Sequence, residues 1–179
     1  ITKVAVSFRF WEGLEEHKIV KVLDYLLNFR NFQVTSISTC QGIAGYVDDA
    51  TYLEKLKNEN AELSELVIDS SYNRPETLIS KYNSFDIYVG MRLHGAILSL
   101  IGKTPAFVIG YEHKSEGIFD ALGLKKYQIF HLEPFDLWKS KIEGFIKDYE
   151  DYSDRLDLLL SDASEDAMRN VTLLETLKQ

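Results

Sequence analysis

DIYVGMRLHGAILSLIGKTPAFVIGYEHK, residues 86–114, reads in order as a strand over 86–90, a tight turn, a helix over 92–101 and a second strand over 105–110. Such a unit sets its two strands parallel in one sheet. The same alternation extends toward the N-terminus. Lys3 to Arg9 alternates and carries β-branched residues, as a first strand over 3–9 would. Ile19, Val22, Leu23, Leu26 and Leu27 recur at helical spacing within 14–29. A strand is expected over 33–38, a helix over 48–57 and a third strand over 66–69. The adjacent Asp48 and Asp49 at that helix start are read as caps that meet free amide groups. Pro75 suits the first turn of a helix reaching about residue 82, because its missing N–H costs nothing there.

Toward the C-terminus the pattern predicts a helix over 114–122 closed by Gly123, and a last strand over 128–132. Beyond Pro134 it is all helical, with Trp138, Ile142, Phe145, Ile146 and Tyr149 spaced as a core face. Strands alternating with helices specify an α/β fold, a parallel sheet with helices on both faces. Residues 1–132 are expected to form that domain. Residues 133–179 are expected to pack on it or to cross to a neighbouring domain. Their last stretch sets Leu156, Leu159, Leu160, Ala163, Met168, Val171 and Leu174 among many acids.

The bulk composition narrows the partners. A chain of 179 residues, 45% hydrophobic and 27% charged, is an ordinary globular composition for one domain. A net charge of −8 argues against nonspecific nucleic-acid binding, which needs a basic face to neutralise phosphates. Six of those eight excess charges fall within 133–179, with 12 acidic and 6 basic residues. The body, with 16 acidic and 14 basic residues, leaves room for a small cationic pocket. The lone Cys40 suits a reducing compartment, and no apolar run reaches the ~18 residues of a membrane span. The expected location is the cytoplasm or the inner face of a membrane. The chain begins with Ile1 directly in a strand-like run and reads as part of a longer protein.

Several signatures are missing. The first strand runs into SFRFWEG, so there is no Gly-rich turn for a dinucleotide, and no phosphate loop of the ATPase type occurs. His17, His94, His113 and His131 stand in no zinc spacing, and no serine nucleophile elbow is present. No metal or cofactor is expected.

The stretch at 86–114 carries the candidate chemistry. Gly90 permits the tight turn into the next helix, whose first amide groups and dipole favour an anion. Arg92 adds a permanently charged planar fork and Lys114 a compact second cation, both suited to carboxylate or phosphate oxygens. His94 brings a residue type suited to acid/base work. Taken singly, each has a bland reading: an arginine paired with a surface acid, a packed histidine, a solvated lysine. Position sets them apart, because ligands of open α/β sheets bind outside the carboxyl ends of the strands.

The run GMRLHGAILSL at 90–100, TPAFVIGYEHK at 104–114 and ALGL at 121–124 resembles the C-terminal domain of the polysaccharide pyruvyl transferases. The Arg92-Leu93-His94 tripeptide and the Tyr111-Glu112-His113-Lys114 segment match that family's motifs. VAVSFR at 4–9 and STCQG at 38–42 resemble it more weakly. The resemblance implies the Rossmann-like C-terminal half of a glycosyltransferase-B-like protein, whose active site lies in the cleft toward a missing N-terminal domain. It implies phosphoenolpyruvate as donor, and a sugar of a cell-surface polysaccharide, or its lipid-linked precursor, as acceptor. Arg92, His94 and Lys114 would bind the donor, His94 would also act as acid/base, and Arg9 could line the same cleft. Tyr111 is read as packing at the rim. This half alone is expected to be inactive.

Two other readings stay open. One is the nucleotide-sugar half of a glycosyltransferase of the same architecture, with Glu112 or Glu116 holding a ribose. The other is a noncatalytic module that docks through its acidic helical tail.

Overall fold

A computed structural model of the chain describes residues 1–29, 31–42 and 45–176, and the side chains of all of these except 113–116 and 166–176. Six strands, β1 (Thr2–Ser7), β2 (Phe32–Ile37), β3 (Val67–Asp69), β4 (Ile87–Gly90), β5 (Ala106–Gly110) and β6 (Gln128–Phe130), form one sheet. Every pairing is parallel and the order is β3-β2-β1-β4-β5-β6. This is the doubly wound, Rossmann-like order, in which the chain builds outward from β1 on one side and then returns to build on the other. The reversal falls between β1 and β4, with Ser7 opposite Gly90. The Met91 amide donates to the Ser7 carbonyl at 2.8 Å and carries the pairing one residue further.

Helices α1 (Glu16–Leu27), α2 (Asp49–Glu59), α3 (Pro75–Tyr82), α4 (Leu93–Ile101), α5 (His113–Ala121) and α6 (Phe135–Thr176) make the crossovers and cover the sheet. Because both faces are covered, the central strands lose the expected alternation. Val4, Ala5, Val6 and Ser7 are all buried, as are Ile87, Tyr88 and Val89 and the whole of 106–109. The first strand also stops at Ser7 rather than Arg9, and the last at Phe130, leaving Leu132 exposed. Gly123, at φ 68°, ends the α5 region in the left-handed conformation that glycine adopts without strain.

Helix α6 is continuous over 42 residues. Its expected core face is real: Trp138, Ile142, Phe145 and Ile146 are buried, and the Trp138 indole N–H donates to the Phe130 carbonyl at 3.3 Å. Tyr152 stacks on Tyr127 with centroids 4.3 Å apart, and Leu156 is buried beyond it. Leu159 and Leu160 are partly buried against the same core. The side chains of Met168, Val171 and Leu174 lie outside the described residues.

Candidate active site

Loops that follow β1, β2, β4 and β5 meet at the carboxyl edge of the sheet, around the reversal point. Arg92 is the N-cap of α4 rather than its first helical residue. Its backbone is extended (φ −79°, ψ 108°), and its carbonyl accepts the first helical bond from Ala96 at 3.0 Å. The buried Tyr88 hydroxyl donates to the same carbonyl at 3.0 Å. The glycines on either side of Arg92 make room for that hydroxyl. A Cβ at Gly90 would stand 2.6 Å from the Tyr88 oxygen and 2.6 Å from the Ser7 carbonyl, and one at Gly95 2.6 Å from the Tyr88 oxygen. The spacing of GMRLHG is therefore a steric requirement of the tyrosine beneath it.

The Arg92 guanidinium is held from another quarter of the chain. Its Nε donates to Asp49 Oδ1 at 3.0 Å and Oδ2 at 3.1 Å, its Nη2 donates to Oδ1, and Nη2 reaches the Tyr46 hydroxyl at 3.2 Å. Asp49 is fully buried at the start of α2, where the Thr39 amide (3.3 Å) and hydroxyl (3.4 Å) complete its hydrogen bonds. Burial disfavours the Arg92 charge, but the hydrogen bonds and charge of Asp49, with the Tyr46 hydroxyl, outweigh it and raise the arginine pKa above its ordinary value. The fork expected to face a ligand is thus taken by Asp49. Nη1 is the Arg92 nitrogen with no partner among the described residues. The expectation of two capping acids also needs correction. Asp48 caps α2, accepting from the Thr51 amide at 2.8 Å, whereas Asp49 is the counter-charge of Arg92.

Arg9 reaches the same place from the loop after β1. Its guanidinium carbon lies 5.1 Å from the Trp11 ring centroid, 5.1 Å from Tyr46 and 5.2 Å from Tyr111. Its Nη1 donates to the Tyr111 hydroxyl at 2.9 Å and its Nε to the Phe10 carbonyl at 3.2 Å. The Trp11 and Tyr111 rings are in contact, with centroids 4.4 Å apart. Tyr46 links the two arginines, since Arg92 also lies over its ring at 5.7 Å. Tyr111 is more than rim packing: it is a wall and a hydrogen-bond acceptor for Arg9.

The charges divide unequally between the arginines. Arg92 and Asp49 form a neutral pair at short range, while the Arg9 guanidinium meets aromatic rings, a phenol and a carbonyl and makes no ion pair among the described residues. An opposite charge about 4 Å from Arg9 would gain roughly 4 kcal/mol at an effective dielectric near 20, so Arg9 is the arginine whose charge is not held in an ion pair among the described residues.

His94, the second residue of α4, is exposed and has no partner among the described residues. Lys114 falls in the first turn of α5, directly after β5, and its side chain and that of Glu116 lie outside the described residues. Glu112 is the N-cap residue of α5 and is exposed. Among the described residues, no group of three or more His, Cys, Asp or Glu could hold a metal ion. Asp49 and Tyr46 were not legible as site residues, and the one available signal was the doubled acid at 48–49, where a cap needs a single residue.

Comparison with known proteins converges on this region. The profile of the family described as polysaccharide pyruvyl transferase matches residues 5–113, from β1 through the first residue of α5. A curated relative, the amylovoran biosynthesis protein AmsJ of Erwinia amylovora, is 34% identical over 106 residues. That match covers 58% of this chain and 25% of AmsJ, so the chain corresponds to a small part of that relative's length.

Proposed function

The chain belongs to the polysaccharide pyruvyl transferase family, and from that premise we propose that it is the donor-binding half of an enzyme that moves a pyruvyl group from phosphoenolpyruvate to a sugar of a cell-surface polysaccharide or its precursor. The observation that carries the proposal is the convergence of Arg9 and Arg92 on Tyr46 at the carboxyl ends of β1 and β4. A small donor with two anionic groups, a carboxylate and a phosphate, calls for more than one cation in a confined mouth. The relative named for amylovoran biosynthesis supports a role in making or modifying a polysaccharide.

In this reading Arg9 and the Nη1 of Arg92 bind the donor's anionic groups, Lys114 adds a third cation from α5, and the α4 terminus adds its dipole. Asp49 and Tyr88 position Arg92. His94 is the proton carrier. Protonation of the donor's methylene carbon makes it a methyl group and leaves a cationic centre at C2. One sugar hydroxyl adds to C2 and gives up its proton, phosphate departs with its bridging oxygen, and a second hydroxyl adds and gives up its own proton. One of the two released protons balances the one added to carbon, and the other goes to phosphate. A positioned acid/base of this kind contributes typically ~10²–10⁴-fold. The cationic groups stabilise charge on the departing phosphate.

The reading places the other half of the cleft in a second Rossmann-like domain, in a glycosyltransferase-B-like arrangement on the cytoplasmic side of the membrane. This chain alone is then inactive. No helix among the described residues is long and apolar enough to cross a membrane.

Titration with phosphoenolpyruvate, followed by backbone amide shifts, tests the proposal. Shifts at the ends of β1 and β4 are expected, with binding weakened at least about tenfold in Arg9→Ala and in Arg92→Ala. A uridine nucleotide that binds there while phosphoenolpyruvate does not would overturn the proposal in favour of a nucleotide-sugar glycosyltransferase.

A further inference from the structure

Beside the arginine mouth lies a cleft of about 340 Å³ between residues 9–12 of the loop after β1 and residues 45–47 of the loop before α2. It shares Arg9 and Tyr46 with the donor mouth, so a ligand seated in it would lie next to the donor. Its remaining walls have an unusual chemistry for an exposed edge. Phe10 is 51% exposed and Val47 51% exposed, and both face a cleft that Trp11 and Tyr46 also line. Glu12 stands at the same cleft, exposed and without a partner among the described residues. Apolar side chains of this size left open to water and grouped at one concavity point to an occupant.

We propose that this cleft is an acceptor-sugar subsite, built on this chain rather than on the opposing domain. The inference rests on the pyruvyl-transfer reading for its catalytic meaning and on the cleft for its geometry. A pyranose ring has an apolar C–H face and a rim of hydroxyls. Phe10 and Trp11 match the first, by the same apolar and aromatic contact that makes such side chains dominant binding anchors. Glu12 accepts hydrogen bonds from hydroxyls, and Arg9 donates to their oxygens. The lining adds no cation beyond Arg9, whose charge the donor takes up, and this suits an uncharged ring better than a second phosphate-bearing ligand. Arg9 then serves both substrates, and the hydroxyls nearest it are those brought to the donor's C2.

The test uses the protein with a panel of methyl pyranosides as probes, read as amide shifts. Uridine is titrated separately, and phosphoenolpyruvate in a third series. Shifts confined to Phe10, Trp11 and Glu12 and to 45–47 are expected with at least one pyranoside. Binding should weaken about tenfold in Phe10→Ala and several-fold in Glu12→Gln. Unperturbed amides elsewhere in the sheet check that each variant is folded. Pyranosides that leave these amides unmoved to the limit of their solubility, or shifts from uridine alone, overturn the subsite. If phosphoenolpyruvate still moves the ends of β1 and β4 in that case, the pyruvyl-transfer reading survives. If pyranosides bind and phosphoenolpyruvate does not, the subsite survives and the donor assignment falls.

Discussion

At the Arg92 guanidinium two opposing costs are balanced: removal of a charge from water and removal of its partner. Asp49 is wholly buried and the Arg92 side chain is only 12% exposed, so neither has water to turn to when the other is lost. Asp49→Ala is expected to lower stability by about 3 kcal/mol, because an uncompensated buried charge costs far more than the pair itself contributes. Urea unfolding measures it. Arg92→Ala should cost a similar amount, and the double variant clearly less than both losses together; strictly additive losses would show that the two groups are not coupled. The sequence showed Arg92 as a candidate because its neighbours carry a motif. It could not show Asp49 as its partner, because 43 residues separate them and the contact is made only when β2 and β4 flank β1. Arg9 was legible as a cation at a strand end, but that it makes no ion pair among the described residues became apparent only with Trp11, Tyr46 and Tyr111 around it.

The turn from β4 into α4 is the element on which the site depends. Tyr88, Gly90, Arg92 and Gly95 form one steric unit, with the phenol of the first lying between the glycines and bonded to the carbonyl of the arginine. Gly95→Ala would bring a methyl group 2.6 Å from the Tyr88 oxygen and 3.2 Å from that of Tyr82, and should destabilise the protein by about 1–3 kcal/mol. Tyr88→Phe removes the nearer clash and is expected to recover most of that loss. It should not rescue Gly90→Ala, whose new carbon also meets the Ser7 backbone carbonyl at 2.6 Å. Thermal melts of Gly90→Ala and Gly95→Ala, each with and without Tyr88→Phe, distinguish the two glycines, and equal rescue of both would refute the assignment. Element order and type were readable from helical spacing and apolar runs, because most helices and strands bury a face or a run that their own residues define. Ends were less readable. Ser7, Arg92 and Phe130 each stop or cap an element earlier or later than the pattern suggests, since hydrogen bonds to a neighbouring strand or loop decide the last residue.

At the scale of the whole molecule, the doubly wound order makes one edge of the sheet chemical and leaves the rest to packing. The same edge has a structural weak point where α1 meets the end of β6. Lys18, nearly buried, donates to the Glu133 carbonyl at 3.1 Å and pairs with Glu15 at 2.8 Å, and its ammonium lies 5.6 Å from the Trp138 ring centroid. The neighbouring His131 is buried with Nδ1 unpartnered among the described residues, and burial, then the Lys18 charge, lowers its pKa below the ordinary 6.5. The folded protein therefore binds fewer protons there than the unfolded chain. That contribution to stability is full above about pH 6.5 and fades as pH falls through the lowered value. Urea midpoints from about pH 7.5 down to about pH 5 should decline less steeply in His131→Asn than in the parent, and an unchanged slope would exclude this histidine as the source. By itself the sequence determined the α/β class, the succession of elements, the buried faces and the family motif, since all of these follow from spacing along a local stretch of chain. Only the tertiary structure decided that Asp49 neutralises Arg92, that Arg9 makes no ion pair among the described residues, and that the aromatic loops after β1 and after β2 close on one cleft. Parallel crossovers carry distant segments back to the same edge of the sheet, and which of them touch is set by strand order and packing rather than by separation in sequence.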